Sequence, residues 1–193
     1  MEAASGVVGR ITGAVMARLT AEANHWVVEL LDVGRQDRVL DVGCGPGVAV
    51  AAAAAAAPEG VVAGVDGSAE MVRQARRRNR LAIGKGRVSI HHADAAALPF
   101  ADGRFTRAAT VNSLQFWPSP AAGLGDMHRV LRPGGRVAVV LMGRSDDLPA
   151  SDTGPPPWLD DVGLTMQSVG FHDIDWRRRD FGGVPHWALL AGS

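Results

Sequence analysis

Tyrosine is absent from this chain, and cysteine and lysine occur once each, at Cys44 and Lys85. The lack of tyrosine rules out a Tyr-x-x-x-Lys pair and so counts against a nicotinamide-dependent oxidoreductase. One cysteine permits no internal disulfide and no cysteine-rich metal site. No apolar run approaches the roughly 18 residues that a membrane-spanning helix requires. Ala51–Ala57 is too short, and Pro58-Glu59-Gly60 stops it. An excess of one charge is also missing, since 20 basic residues balance 20 acidic ones. Nothing global therefore points to nucleic acid or an acidic membrane surface. Met1–Arg10 carries Glu2 and no basic start leading into a long apolar stretch, so a secretory leader is not expected. Carboxylates and histidines do not cluster at metal-ligand spacing, and no metal is expected. These absences describe a cytoplasmic chain whose 193 residues suit one domain.

What is present is a glycine turn. Arg38–Val42 reads as a short buried strand, and Gly43, Gly45 and Gly47 then lead into an alanine-rich helix over Val48–Ala57. Glycine tolerates positive φ and lets a ligand lie against bare backbone, while the helix turns its positive end toward the loop. Asp41 adds a carboxylate at the end of the strand, and Cys44 between the glycines satisfies a need for a small side chain. The dinucleotide fingerprint Gly-x-Gly-x-x-Gly would need a third glycine where Val48 stands. The pattern here is Asp-x-Gly-x-Gly-x-Gly, which resembles motif I of the class I methyltransferases that use S-adenosyl-L-methionine. That ligand carries a sulfonium, an ammonium and a carboxylate, so an acid beside a glycine loop suits its charges.

Strand and helix signals alternate along the chain, which implies a parallel sheet covered on both faces. Further strands are expected over Val61–Asp66, Arg87–His91, Arg107–Val111 and Arg136–Met142, with helices after Ser68 and over Ala121–Leu131. Arg132-Pro133-Gly134-Gly135 reads as a stop and turn. The arginines from Arg73 to Arg80 sit late in their helix, where they form a solvated face. Gly143–Pro157 is irregular, Trp158–Val169 has helical spacing, and strands Ile174–Arg178 and His186–Leu190 should pair antiparallel across Gly182-Gly183. Before the first strand, residues 7–33 read as one or two helices; the N-terminal 1–36 would cover the site and 37–193 would form the cofactor-binding core.

Asp66 ends the second strand 19 residues beyond Gly47, a distance that fits the acid gripping ribose hydroxyls in nucleotide-binding α/β folds. Asp94 and Ala95 follow the third strand, where an acid can accept from an adenine amine and the next N–H can donate to a ring nitrogen. Met71 lies five residues beyond Asp66 and is suited to cover the adenine. Val39–Gly47, Val65–Met71, Ala93–Phe100, Val111–Pro118 and His128–Val140 together resemble successive blocks of the small-molecule class I methyltransferases grouped as type 11. The resemblance implies a doubly wound α/β fold, Rossmann-like, with seven strands in the order 3-2-1-4-5-7-6 and strand 7 antiparallel. It implies that Asp41 and the Gly43–Gly47 loop surround the methionine end of the cofactor, that Asp66 with Gly67 meets ribose, that Asp94 and Ala95 meet adenine, and that Asn112 lies between cofactor and acceptor. Two departures stand out. Thr106 replaces the acid that commonly follows the phenylalanine opening strand four, and the segment between strands five and six is short for this family.

Methyl transfer from a sulfonium is an in-line displacement with a good neutral leaving group, so holding donor and acceptor in line and excluding water does most of the work. An oxygen acceptor would favour a nearby histidine. His25, flanked by Asn24 and Trp26 in the entry helices, is the candidate base, and those two neighbours are candidate acceptor contacts. Gln115, Phe116 and Trp117 form a candidate acceptor rim, with one amide and two apolar walls. The Asn/Asp-Pro-Pro-aromatic block used by amino-methylating enzymes of nucleic acids and proteins is absent. The expectation is a methyltransferase acting on a small-molecule acceptor, without nucleic acid or membrane, as a monomer or homodimer. The rival is a non-catalytic protein that binds S-adenosylmethionine and regulates a partner.

Overall fold

The computed structural model describes residues 21–143 and 155–193. The expectations for residues 7–20, and for most of the irregular Gly143–Pro157 stretch, lie outside them. Seven strands form one sheet: β1 (Arg38–Val42), β2 (Val61–Asp66), β3 (Val88–His92), β4 (Phe105–Val111), β5 (Leu131–Met142), β6 (His172–Phe181) and β7 (Val184–Gly192). Their spatial order is β3-β2-β1-β4-β5-β7-β6, with β7 antiparallel to both β5 and β6. The expected topology is therefore met. Successive strands are added toward one edge from β1 to β3 and toward the other from β4 onward, and in open α/β sheets the crevice at that switch point takes ligands.

Helix α1, over residues 21–30, packs on one face of the sheet. It buries Ala23, Trp26 and Val27 against Ala109, Val140, Phe181 and Ala188. Helices α2 (Val48–Ala56) and α3 (Ala69–Arg78) cover the same face beside β1, β2 and β3. Alanines at 49, 53 and 54 are the buried face of α2, so the helix sits close to the sheet. A short α4 (Arg80–Gly84) follows α3, after a break at the buried Asn79. The opposite face carries α5 (Pro120–Val130) and α6 (Pro157–Ser168) over the largest core, where Leu40, Phe105, Leu124, Met127, Leu159 and Met166 are shielded from solvent. Each such side chain contributes about 1.5–3 kcal/mol. Ser119 caps α5 by accepting from the Ala122 N–H at 3.3 Å, and Ser68 accepts from the Met71 N–H at 3.4 Å to cap α3.

Two local differences from the sequence reading have physical causes. Arg132–Gly135 does not separate α5 from β5; β5 begins at Leu131, and four residues loop out of the ladder between Phe105↔Leu131 and Arg107↔Arg136. The loop is held by the C-terminus, since the Gly134 N–H donates to the Ser193 carbonyl at 2.8 Å. Thr106 takes up the bracing expected of an acid. Its hydroxyl donates to Asp37 Oδ1 at 2.6 Å and accepts from the Arg38 N–H at 2.9 Å. Among the described residues no helix is long and apolar enough to cross a membrane.

Candidate functional site

The glycine turn is tied to the second strand, because the N–H groups of Gly43 and Cys44 both donate to the Val65 carbonyl, at 2.8 and 2.9 Å. All three glycines have positive φ: 72° at Gly43, 51° at Gly45 and 77° at Gly47. Their environments differ. A Cβ on Gly43 would lie 1.8 Å from Ser113 Oγ, and one on Gly47 would lie 2.6 Å from Asn79 Nδ2. Those two positions are bare so that the protein can pack on itself. Nothing lies within 4 Å of a Cβ on Gly45, whose space is open. Of the three, Gly45 is the one whose open face a ligand can use. Cys44 turns inward into the cluster of Val50, Val72 and Ile90, and burial, then Asp41 and Asp66, push its thiol far up. It is a core residue within the loop.

The far side of the loop is clamped from α3. Arg78 Nε donates to the Pro46 carbonyl at 2.9 Å and Asn79 Nδ2 to the Gly47 carbonyl at 3.1 Å. Arg76 donates to the Ile90 carbonyl at 2.8 Å. At least two of the arginines expected to form a solvated face thus brace backbone, and their composition gave no hint of it.

Two carboxylates sit against this loop. Asp66 Oδ2 accepts from the Gly45 N–H and Oδ1 from the Ser68 N–H, both at 2.8 Å. Each oxygen keeps a second lone pair, so a fixed carboxylate remains available to hydroxyl donors. Asp41 is 3% exposed, and its Oδ2 has no hydrogen-bond partner. Burial, and then the nearby Asp66, push its pKa up to about 7. An orphaned acid of this kind fits a cationic ligand, whose charge would stabilise the ionised form. Asp94 is exposed and accepts from the Ala96 N–H at 2.8 Å. Its loop is anchored by Arg129, which donates to the carbonyls of Phe100 and Leu98.

The chain after β4 makes a single 3-10 turn over Leu114–Phe116. Asn112, at φ 50°, is clipped on both sides. Its Oδ1 accepts from the Met142 N–H at 2.6 Å, and its carbonyl accepts from Gln115 Nε2 at 3.0 Å. It joins the ends of β4 and β5. Trp117 Nε1 donates to Ser113 Oγ at 2.9 Å, and Phe116 is 78% exposed.

Two cavities flank this turn. One, of about 190 Å³, is lined by Val42, Gly43, Val65, Asp66, Gly67, Ala93, Asp94, Ala95, Ser113, Phe116, Trp117 and Pro118. It brings together Gly43, Asp66, Gly67, Asp94, Ala95, Phe116 and Trp117 from the sequence reading; Ser113, which that reading missed, joins them. The other, of about 440 Å³, is lined by Leu114, Gln115, Pro120, Leu124, Leu141, Met142, Trp158, Asp161, Val162 and Thr165. Asp41, Cys44, Gly45, Gly47, Met71, Asn112, Asn24 and Trp26 are in neither wall; of these, Asp41, Gly45 and Gly47 belong to the strand end and loop that adjoin the smaller cavity at Val42 and Gly43. Trp26 is buried edge-to-face against Phe181 at 5.8 Å, with Arg179 over its ring, and Asn24 is also buried. His25 is exposed on α1 and lines neither cavity. His91 is half-buried edge-on to Phe100, and burial, then Arg76, pull its pKa down. His92 Nε2 lies 2.9 Å from the Gly67 carbonyl at the rim of the smaller cavity. Among the described residues no three His, Cys, Asp or Glu side chains are grouped to hold a metal ion.

A family model described as a methyltransferase domain matches residues 39–135, half of the chain. The chain belongs to the methyltransferase domain family. Its seven-stranded order, with β7 antiparallel, is the one that the resemblance to the class I methyltransferases implies. It is 30% identical over 178 residues to an O-methyltransferase, rstn1, of Aspergillus nomiae, covering 86% of this chain and 77% of the relative. It is 41% identical over 123 residues to the methyltransferase GfsG of Streptomyces halstedii, covering 62% of this chain and 44% of that protein. A further relative, in Streptomyces fradiae, is spanned over 33% of its length. A crystal structure of an S-adenosylmethionine-dependent methyltransferase from Aquifex aeolicus shares the fold, with a TM-score of 0.73 at 22% identity, over 91% of this chain and 92% of that one.

Proposed function

We propose that this methyltransferase moves a methyl group from S-adenosylmethionine to a small, largely apolar molecule, acting in the cytoplasm as a monomer or homodimer without nucleic acid or membrane. The observation that carries the reading is the pair of unlike cavities on either side of the Leu114–Phe116 turn. The smaller has carboxylates and bare backbone, as a cationic nucleoside requires. The larger has the side chains of Leu114, Leu124, Leu141, Trp158 and Val162, as an apolar acceptor requires.

On this reading Asp41 faces the cationic end of the cofactor and Gly45 lets that end approach the backbone. Asp66 with Gly67 holds the ribose, and Asp94 with Ala95 reads the adenine. The cofactor supplies an electrophilic methyl group on a sulfonium. The chain's part is to hold the two reactants in line and keep water out. Asp161, the carboxylate in the wall of the larger cavity, accepts from a hydroxyl or amine of the acceptor. Incubation with methyl-labelled S-adenosylmethionine and cell extract tests the reading, which expects label in an organic-soluble small molecule. Label in nucleic acid, protein or nothing would contradict it.

A second reading, binding of the cofactor without turnover, draws on the absence of a histidine from both cavity walls and on the outward-facing His25. It predicts tight S-adenosylhomocysteine binding and no labelled product with any acceptor.

A further inference from the structure

Gly123 lies inside α5, on its buried side. Alanine is the better helix former, so a glycine at a buried helix position needs a packing reason. The reason is Trp117. A Cβ on Gly123 would lie 2.4 and 2.6 Å from two atoms of the indole six-membered ring and 3.4 Å from the Cβ of Ala95. The indole therefore rests on the bare Cα of α5. Its N–H donates to Ser113 Oγ at 2.9 Å, and that oxygen occupies the space a side chain on Gly43 would need, 1.8 Å from its ideal Cβ. Four residues from three parts of the sequence thus form a contact chain from Gly123 through Trp117 and Ser113 to Gly43. Three of them, Gly43, Ser113 and Trp117, line the smaller cavity, and Ala95 beside Gly123 lines it too.

We propose that Gly123 and Trp117 are positioning residues for the cofactor site: the gap in α5 seats the indole, the indole N–H fixes the Ser113 hydroxyl, and Ser113 sets the conformation of the first glycine of the cofactor loop. The relay rests on the assignment of the smaller cavity to S-adenosylmethionine. It also explains why two glycines as far apart as Gly43 and Gly123 are needed: one tryptophan–serine unit lies between them. A side chain at either position would push that unit into the cavity or away from its wall.

The test is calorimetric titration of S-adenosylhomocysteine into the wild-type chain and into Gly123→Ala, Trp117→Phe and Ser113→Ala, with the thermal midpoint of each free protein measured alongside. Gly123→Ala, where the added Cβ overpacks against the indole and offsets the gain in helix propensity, is expected to bind about tenfold more weakly with the free protein still fully folded at the assay temperature, so that the loss is one of site geometry and not of folding. Trp117→Phe, which keeps a ring and loses the N–H, and Ser113→Ala, which keeps the Cβ and loses the acceptor, should each weaken binding about threefold to tenfold. The change in tryptophan fluorescence on ligand addition should shrink in Trp117→Phe and in Gly123→Ala. Wild-type affinity in Gly123→Ala, or losses that simply track the thermal midpoints, would overturn the relay. A wild-type chain that does not bind S-adenosylhomocysteine would overturn the cofactor assignment, and the relay with it.

Discussion

The two cavities divided by the Leu114–Phe116 turn are built from different materials. The smaller draws on the ends of β1, β2 and β3, which present glycine, alanine and carboxylates, and is closed by Ser113, Phe116, Trp117 and Pro118 of the turn after β4. On its strand side the shape follows from backbone, so those residues must fall at fixed spacing along the chain. The larger draws on the end of β5, the turn after β4, α5 and α6, and presents large apolar side chains. Its shape follows from side-chain volume. On the proposed reading, the cofactor is recognised by backbone and a few carboxylates, and the acceptor by apolar side chains.

The sharpest way to break that contrast is Gly45→Val. The position has φ 51° and open space around it, so a branched side chain both strains the loop and fills the ligand's approach. S-adenosylhomocysteine affinity should fall by more than about 100-fold with circular dichroism retained; near-normal calorimetric binding would refute the backbone-based account. Next in size is Val162→Trp, which fills the larger cavity from the partly buried face of α6. Turnover of a responsive acceptor should drop about 30-fold or more while S-adenosylhomocysteine affinity stays within about twofold; equal loss of both would merge the two cavities into one. Asp66→Ala should cost about 1–3 kcal/mol of cofactor binding, read by the same titration.

The buried Asp41 gives a pH signature. Its carboxyl stays protonated in the folded protein up to about 7, whereas the unfolded chain releases the proton near the ordinary value of 3.8. The folded form then holds the extra proton between those values. Stability from this group is full on the acid side and falls as pH rises through the window, by on the order of 2–4 kcal/mol. Urea unfolding at about pH 5 and about pH 8 should show that slope. Asp41→Asn should remove its share. Binding of cationic S-adenosylmethionine should strengthen over the same rise, with proton release; a pH-independent affinity would remove Asp41 from the cation's surroundings. The smallest effect is expected for His25→Ala. From its exposed place on α1, it should leave labelled-methyl turnover within about twofold of wild type.

The same contrast decides what the amino-acid sequence reveals. β1 and β2 are legible to the residue, because apolar runs end in Asp41 and Asp66 at the glycine turns. The edge hairpin is legible in kind and longer in fact, running His172–Phe181 and Val184–Gly192, because ladder hydrogen bonds continue through charged residues that show no apolar period. The cofactor loop is legible as a set but not in its division of labour. Nothing in the spacing says that Gly43 and Gly47 serve Ser113 and Asn79 while Gly45 stays open. Asn112 reads as a polar residue near the ligand, and nothing in the spacing says that it also clips β4 to β5, a contact made across 30 residues. Trp26 reads as an acceptor contact and is core, because the sheet face it meets is made by Phe181, far along the chain. The walls contributed by α6 carry no motif at all, since Trp158, Val162 and Thr165 at helical spacing look the same whether they face a core or a cavity.

A crystal structure of the chain with S-adenosylhomocysteine bound tests the central claim most directly. The account predicts the sugar hydroxyls hydrogen-bonded to Asp66 and the amino-acid end lying over Gly45, within reach of Asp41. A nucleoside seated in the larger apolar cavity, with Asp66 untouched, would contradict it.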